Sequence, residues 1–393
     1  MKVCVESYGC TANLADARHL EALVRERGHI LTGYQEAELV VLNTCTVTGI
    51  TQQKMLKRLH QIQSDGKKVI VAGCLPAAQP ELLPPGIRKI TPSQLPRRGD
   101  LVVQGVTGVV SISQGCLGNC SYCIVKKARG DLESRPPGEI LKVVRGLVSG
   151  GAREILLTSQ DTAAYGRDLG LTLPDLLEML TGIQGDFQVR VGMMNPAHTL
   201  DILDSLLEVW GDPRIWRFLH LPLQSGSDRV LEDMNRKYTT QDFREIIRRF
   251  RERFPEITIS TDIITGYPTE TEEDFQETIK IIKETWPVKV NITRYSPRPH
   301  TPAWKLKDLP ERIKKDRSRK LTQLCLEISK KHHQKRLGKE TEILLTEREK
   351  PGTTTGRDPS YTTVVVKKTL PLGDRLKVKI TQAKDTYLVG EPL

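Results

Sequence analysis

Gly115-Cys116-Leu117-Gly118-Asn119-Cys120-Ser121-Tyr122-Cys123 is the stretch on which the reading of this chain turns. It presents three thiols from one loop, spaced C-x₃-C-x₂-C. Closed structural zinc sites want four protein ligands. A cubane iron–sulfur cluster has four irons, so three cysteines leave one of them open. An open iron can chelate the amino and carboxylate groups of S-adenosylmethionine (SAM). The sulfonium then lies close enough to accept an electron and release a 5′-deoxyadenosyl radical, chemistry that belongs to the cofactor more than to the protein. The competing reading is a zinc site completed by a distant fourth ligand, Cys325 or a histidine.

Working outward, residues 108–113 read as a strand leading into this loop. Beyond it, apolar runs at 154–158, 187–193, 218–221, 258–264 and 289–295 alternate with helical patterns at 139–149, 173–182, 199–210, 227–235, 240–254 and 272–284. Six such strand–helix units suit an open, partial α/β barrel whose strand C-termini carry the chemistry. Polar residues cluster at those ends: Ser159-Gln160-Asp161, Met193-Met194-Asn195-Pro196, His220 to Ser227, and Thr261 to Pro268. Gln160, Asp161, Asn195 and Gln224 are the candidate SAM contacts, and each could equally cap a helix, as Thr199 and Ser227 are expected to do.

Upstream, residues 2–8, 38–42 and 68–72 read as strands and 14–27 and 51–63 as helices, the pattern of a doubly wound parallel sheet. Cys10, Cys45 and Cys74 each follow one of these strands, so all three arrive at one sheet edge, where loops of such folds build sites. They could hold a second three-thiol cluster, or be buried apolar cysteines. Cys4 and Cys325 read as core. The Pro/Arg-rich run 92–99 reads as a linker. Residues 309–337 form a basic helical stretch with ten Lys/Arg, and after Gly338 three short strands, 342–346, 362–366 and 375–382, suggest a small β-barrel.

Composition narrows the class. The chain has 393 residues, 59 Lys+Arg against 48 Asp+Glu, and a net charge of +11, which suits a polyanionic partner without proving one. No run of apolar residues is long enough to span a membrane. The N-terminus has no signal-peptide core. A cytoplasmic protein is expected, where clustered cysteines bind metal more often than they form disulfides.

With Tyr122 before its last cysteine, the 115–123 loop resembles that of the radical SAM superfamily, in which this aromatic borders the cluster. The whole chain resembles the methylthiotransferases within it. The matching motifs are Tyr8-Gly9-Cys10-x-x-Asn13, Asn43-Thr44-Cys45, Ala72-Gly73-Cys74, the cysteine loop, Tyr295-Ser296-Pro297-Arg298 and the final barrel. The resemblance implies a three-cysteine α/β domain (1–98), a radical SAM domain (107–335) and a TRAM-like RNA-binding barrel (336–393). It also implies two [4Fe-4S] clusters, one on Cys116, Cys120 and Cys123 and one on Cys10, Cys45 and Cys74, with SAM serving both methylation of sulfur and radical formation. An external electron donor and a sulfur source follow from that chemistry. Ser159 and His300 depart from the family pattern, standing where glycines are expected.

Family targets are adenosine 37 of tRNAs, carrying an isopentenyl or a threonylcarbamoyl group, and an aspartate of ribosomal protein S12. Gly9-Cys10-Thr11-Ala12-Asn13 with Met193-Met194-Asn195-Pro196 resembles the archaeal and eukaryotic threonylcarbamoyladenosine branch, which implies tRNA as partner, engaged at its anticodon loop. Isopentenyladenosine, S12, or a non-catalytic RNA-binding protein with structural metal are the alternatives.

Overall fold

The computed structural model describes residues 1–95, 103, 105–348 and 350–393. The N-terminal part runs β1 (Lys2–Ser7), α1 (Thr11–Glu26), β2 (Ile30–Leu31), β3 (Leu39–Thr44), α2 (Gly49–Ser64), β4 (Lys68–Gly73), α3 (Cys74–Ala78) and β5 (Arg88–Ile90). All five strands are parallel, in the order β2-β1-β3-β4-β5. The order reverses between β1 and β3, and Cys10 and Cys45 follow these two strands at the carboxyl edge of that switch point. Strands β2 and β5 were not expected: two or three residues are too few to show an alternating pattern. The expected linker is, over Pro92–Gln94, a 3₁₀ turn in which Gln94 reaches back to the Thr91 N–H (2.9 Å); residues 96–99 of it lie outside the described residues.

Next come β6 (Thr107–Ser111), β7 (Ser113–Gln114), α4 (Val125–Arg129), β8 (Glu133–Ser134), α5 (Pro137–Ser149), β9 (Glu154–Thr158), α6 (Leu173–Thr181), β10 (Gln188–Arg190), α7 (Pro196–Leu200) and α8 (Leu203–Val209). They are followed by β11 (Phe218–His220), α9 (Asp228–Asp233), α10 (Thr240–Arg253), β12 (Thr258–Thr265), α11 (Glu272–Thr285) and β13 (Lys289–Arg294). The main strands form two parallel three-stranded sheets, β6-β9-β10 and β11-β12-β13, joined by a bridge between Val189 and Ile215 into one open arc. The expected strand 108–113 stops at Ser111, and Ser113–Gln114 turns away to pair with β8.

Local sequence explains the helices on the arc. α6, α10 and α11 each begin with a Thr-x-x-Asp box (Thr172/Asp175, Thr239/Asp242, Thr271/Asp274), which satisfies orphan N–H groups reciprocally. Phe243, Ile246, Ile247 and Phe250 then recur at helical spacing and bury against the strands. Trp210 meets Phe250 edge-on, 5.4 Å between centroids, in the same core. The helix expected at 199–210 is two, broken at Asp201 and Ile202.

α12 (Glu311–Gln334) lies along β13, covering that open edge, and α1 packs near β6 at the other. Strands β14 (Glu340–Glu347), β15 (Thr354–Arg357), β16 (Thr363–Val366), β17 (Arg375–Ala383) and β18 (Leu388–Pro392) close a barrel, five strands rather than the three expected. Tyr361 from this barrel packs with Trp216 and Phe218 of the arc, and Arg336 bonds Asp358 at 2.6 Å in a buried pair. Cys4 and Cys325 are buried, as read.

Candidate active site

The cysteine loop is held at both ends by backbone geometry. Gly115 adopts φ +78°, and a methyl group there would fall 1.7 Å from the Asp131 carbonyl oxygen, so this turn admits glycine only. The Gly115 N–H donates to Gln160 Oε1 (2.8 Å), while Ser121 N–H donates to the Met234 carbonyl (3.0 Å). Gly118 leaves an open cradle: a Cβ would sit 3.5 Å from Cys116 Sγ and 3.9 Å from Cys120 Sγ. Arg236 donates to Cys120 Sγ (3.2 Å) and to Asn195 Oδ1 (3.3 Å). Tyr122 packs with Tyr267, Tyr295 and Met234 beside the loop.

In the N-terminal domain Asn13 is the common neighbour. Its Oδ1 is 3.5 Å from Cys10 Sγ and 4.0 Å from Cys74 Sγ, its Nδ2 donates to the Thr44 carbonyl (2.7 Å), and Arg129 donates to it at 3.2 Å. Arg129 also bonds Asp16 at 2.6 Å, both side chains being buried. Because Arg129 ends α4, six residues past Cys123, one guanidinium ties the second cysteine set to the helix that follows the first. A second tie is Arg298, which bonds Gln52, while Ser296 Oγ accepts from Gly49 N–H (3.3 Å).

A cavity of about 510 Å³ lies between these domains. Cys10, Cys74, Cys116, Cys120 and Cys123 line it, together with Tyr122, Gln160, Asp161, Asn195 and Gln224. Cys45 stands just behind, buried, accepting from Val47 N–H (3.5 Å). Burial pushes the Cys123 and Cys74 thiols up to about 12 and raises Cys45; burial and the Asp161 charge push Cys116 to about 11. Neutral buried thiols must release protons as they bind metal. Among the described residues no three His, Cys, Asp or Glu side chains stand close enough to hold a single ion. Cys116 and Cys120 beside Gly118, with Cys123, are three soft thiols of the kind that hold an iron–sulfur cluster.

The polar candidates divide. Asp161 is both cavity wall and cap: its Oδ1 accepts from Ala163 N–H (3.1 Å) and Asn195 N–H (2.9 Å), and its Oδ2 lies 2.5 Å from His198 Nδ1. Asn195 caps α7 through Ala197 N–H (3.3 Å). Thr199 is no cap; it lies inside α7 and donates to the Asn195 carbonyl (2.8 Å), whereas Ser227 does cap α9. Ser159 Oγ accepts from Asp161 N–H at 3.0 Å. Gln224 holds φ +69°, its backbone bonded to Asp262 and Ile264. Sequence reasoning missed Arg129, Arg236 and a trio across β11–β13. In that trio Asp262 Oδ2 meets His220 Nε2 (2.9 Å) and Oδ1 accepts from Asn291 Nδ2 (2.7 Å). Burial alone would raise the Asp262 pKa, but those two partners hold it below the ordinary range. The strand-end segments containing His220 and Asp262 hinted at this trio, but not at their pairing or at Asn291, since the partners come from separate strands.

Comparison with known proteins places this geometry. Residues 110–282 match the Radical SAM superfamily, 2–90 the Uncharacterized protein family UPF0004 and 334–393 the TRAM domain. A probable threonylcarbamoyladenosine tRNA methylthiotransferase of Archaeoglobus fulgidus is 40% identical, with 100% of this chain and 98% of the relative covered. A threonylcarbamoyladenosine tRNA methylthiotransferase of Drosophila melanogaster is 36% identical, with 100% and 78% covered. The solved radical SAM methyltransferase TsrM of Kitasatospora setae shares the fold at TM-score 0.57 and 14% identity, over 77% of this chain and 74% of that one. The chain belongs to the radical SAM methylthiotransferases, in the threonylcarbamoyladenosine tRNA branch of its archaeal and animal relatives.

Proposed function

We propose that the chain converts N6-threonylcarbamoyladenosine at position 37 of tRNA to its 2-methylthio derivative. The observation that carries this reading is the single cavity of about 510 Å³ lined by members of both cysteine sets, which lets one substrate carbon face a radical source and a sulfur source. In this assignment Cys116, Cys120 and Cys123 hold one [4Fe-4S] cluster, and Cys10, Cys45 and Cys74 hold the second. When bound, the first cluster with SAM supplies a hydrogen-abstracting radical and the second supplies sulfur to be methylated and transferred. The protein's share is positioning. Gln160 fixes the start of the cysteine loop, Arg236 places positive charge against Cys120, and Tyr122 walls the site. Asp161, Asn195 and Gln224 face the space available to SAM, and the trio of His220, Asp262 and Asn291 offers polar contacts deeper in the arc.

The adenosine must leave the anticodon-loop stack to enter, as in other enzymes that act on bases. Domains at 1–98, 107–335 and 336–393, cytoplasmic location, an external electron donor and a sulfur source belong to the same reading. No helix among the described residues is long and apolar enough to cross a membrane.

The test is an anaerobic assay of reconstituted protein with SAM, reductant and tRNA bearing threonylcarbamoyladenosine, with nucleosides read by mass spectrometry. A methylthio nucleoside supports the reading; deoxyadenosine without it points to another substrate, and no SAM cleavage removes the radical assignment. Cys116→Ala, Cys120→Ala or Cys123→Ala should abolish SAM cleavage. Cys10→Ala, Cys45→Ala or Cys74→Ala should retain deoxyadenosine formation and lose the methylthio product. Product from any of those last three would contradict the two-cluster assignment.

A further inference from the structure

The segment 296–307 joins the N-terminal domain to the cysteine loop and then presents an aromatic and cationic surface. At its start Ser296 and Arg298 engage Gly49 and Gln52 of α2, and farther on Ala303 N–H donates to the Ser121 carbonyl (2.8 Å), inside the C-x₃-C-x₂-C loop. Ala303 is buried beside Tyr122, so the backbone here is fixed against the candidate active site. The next residue, Trp304, is 51% exposed, whereas Trp210 and Trp216 are buried. Lys305, Leu306 and Lys307 are exposed with it, and among the described residues neither lysine has an ion pair. His300, in the same segment, holds φ +68°, a left-handed conformation unusual outside glycine, and its half-exposed ring lies 4.0 Å from Glu81. Backbone strain of this kind persists where surrounding structure over-determines it, and it gathers at functional sites.

An indole held on a rigid loop and flanked by unpaired ammonium groups is the pattern of a stacking platform for single-stranded nucleic acid. The ring takes a base face and the lysines take the adjoining phosphates. We infer that Trp304, with Lys305 and Lys307, is a docking point for an unpaired RNA loop on the segment that backs the cysteine loop, a positioning element for the nucleotides that flank the modified one. The inference rests on the tRNA reading above and adds to it the loop that seats the RNA. The protein's charge of +11 is complementary to such a partner.

The experiment measures affinity of the cluster-loaded protein for fluorescein-labelled substrate tRNA by anisotropy, with KM and kcat for the nucleoside product. Trp304→Ala should weaken binding and raise KM about 5- to 150-fold, the range of one base–aromatic stack. Iron content and SAM cleavage without tRNA should stay unchanged. Trp304→Phe should recover most of the affinity, which a purely structural role would not require. Independently, Lys305→Ala with Lys307→Ala should lower the slope of log K against log salt by about 1.4, at roughly 0.7 per single-strand phosphate. Affinity of Trp304→Ala within twofold of the wild type, or an unchanged salt slope, overturns the inference while leaving the tRNA reading intact. A defect confined to reduction by a protein electron donor also overturns it and assigns the loop to a protein partner. A wild type that neither binds nor modifies tRNA sinks the tRNA reading, and this inference with it.

Discussion

The Arg129 guanidinium lies 2.6 Å from the Asp16 carboxylate and 3.2 Å from the Asn13 carboxamide, with both charged side chains nearly out of water. A buried pair of this kind contributes little net stability beside an apolar substitute, but breaking it leaves one charge uncompensated. Arg129→Ala should therefore destabilise the chain by about 3–5 kcal/mol, while Arg129→Met combined with Asp16→Leu should recover most of that loss. Chemical denaturation of the two variants and the wild type checks the pattern; equal losses in both would mean that the site depends on the charges themselves. At this scale sequence reading goes as far as residue type. Cys116, Cys120 and Cys123 stand out as candidates because thiols of that spacing have few other uses, and Cys10, Cys45 and Cys74 because each follows a parallel strand. Arg129 is not, because its role comes from a helix of another domain. Asp161 and Asn195 show the same limit from the other side: one residue serves as cap and cavity wall together.

Two elements carry their own tests. The turn at Gly115 has φ +78° and no room beside the Asp131 carbonyl, so Gly115→Ala must displace the loop that bears Cys116. Reconstituted Gly115→Ala should lose iron from this loop and its SAM cleavage, while cysteines in the N-terminal domain still take up metal; full iron content would show the turn to be dispensable. The second element is the start of α11. Burial pulls the Asp274 carboxyl upward, but Arg229, Ser227 and the Thr271 N–H outweigh it and hold it at about 2, below its ordinary 3.8. Its folded pKa is depressed, so its stabilisation is present above pH 3.8 and is lost as pH falls through about 2. With partial exposure of Arg229 screening the pair, this amounts to roughly 1–2 kcal/mol. Asp274→Asn should lower the urea midpoint at pH 7, and the gap to the wild type should begin to close below about pH 4; a gap independent of pH would remove the carboxylate from the account. Apolar residues at helical spacing are what made these helices readable from sequence. The strands Ile30–Leu31 and Leu388–Pro392 are too short to show a clear period and were missed.

At the scale of the molecule, the three parts and their order are visible in the chain, because a Pro/Arg-rich run interrupts the strand–helix alternation and short strands replace it after Gly338. Their mutual placement is not, since the cavity shared by Cys10, Cys74 and the 116–123 loop is made by contacts between residues more than a hundred positions apart, such as Arg129 with Asp16. The basic stretch 309–337 shows the same gap between count and use. Of its ten cations, Lys314, Arg317 and Arg336 are buried in pairs with Asp308, Glu270 and Asp358, holding α12 to the arc and to the final barrel. Arg312, Lys315, Arg319, Lys320, Lys330, Lys331 and Lys335 remain exposed, although Asp316 pairs with both Arg319 and Lys320. The two groups should separate by experiment. Replacing Lys315, Lys330 and Lys331 with alanine should leave thermal stability unchanged and weaken tRNA binding, lowering the slope of log K against log salt by about 0.7–0.9 for each phosphate no longer neutralised; Lys335 is left in place because its ammonium lies 5.0 Å from the Trp286 ring centroid. Arg317→Ala removes one charge, as each of those changes does, but leaves Glu270 buried without its partner, so its effect should appear in denaturation before it appears in binding. If the triple variant binds tRNA with an unchanged salt slope, the exposed face of α12 does not touch the RNA, and affinity must come from the final barrel and the rim of the cavity.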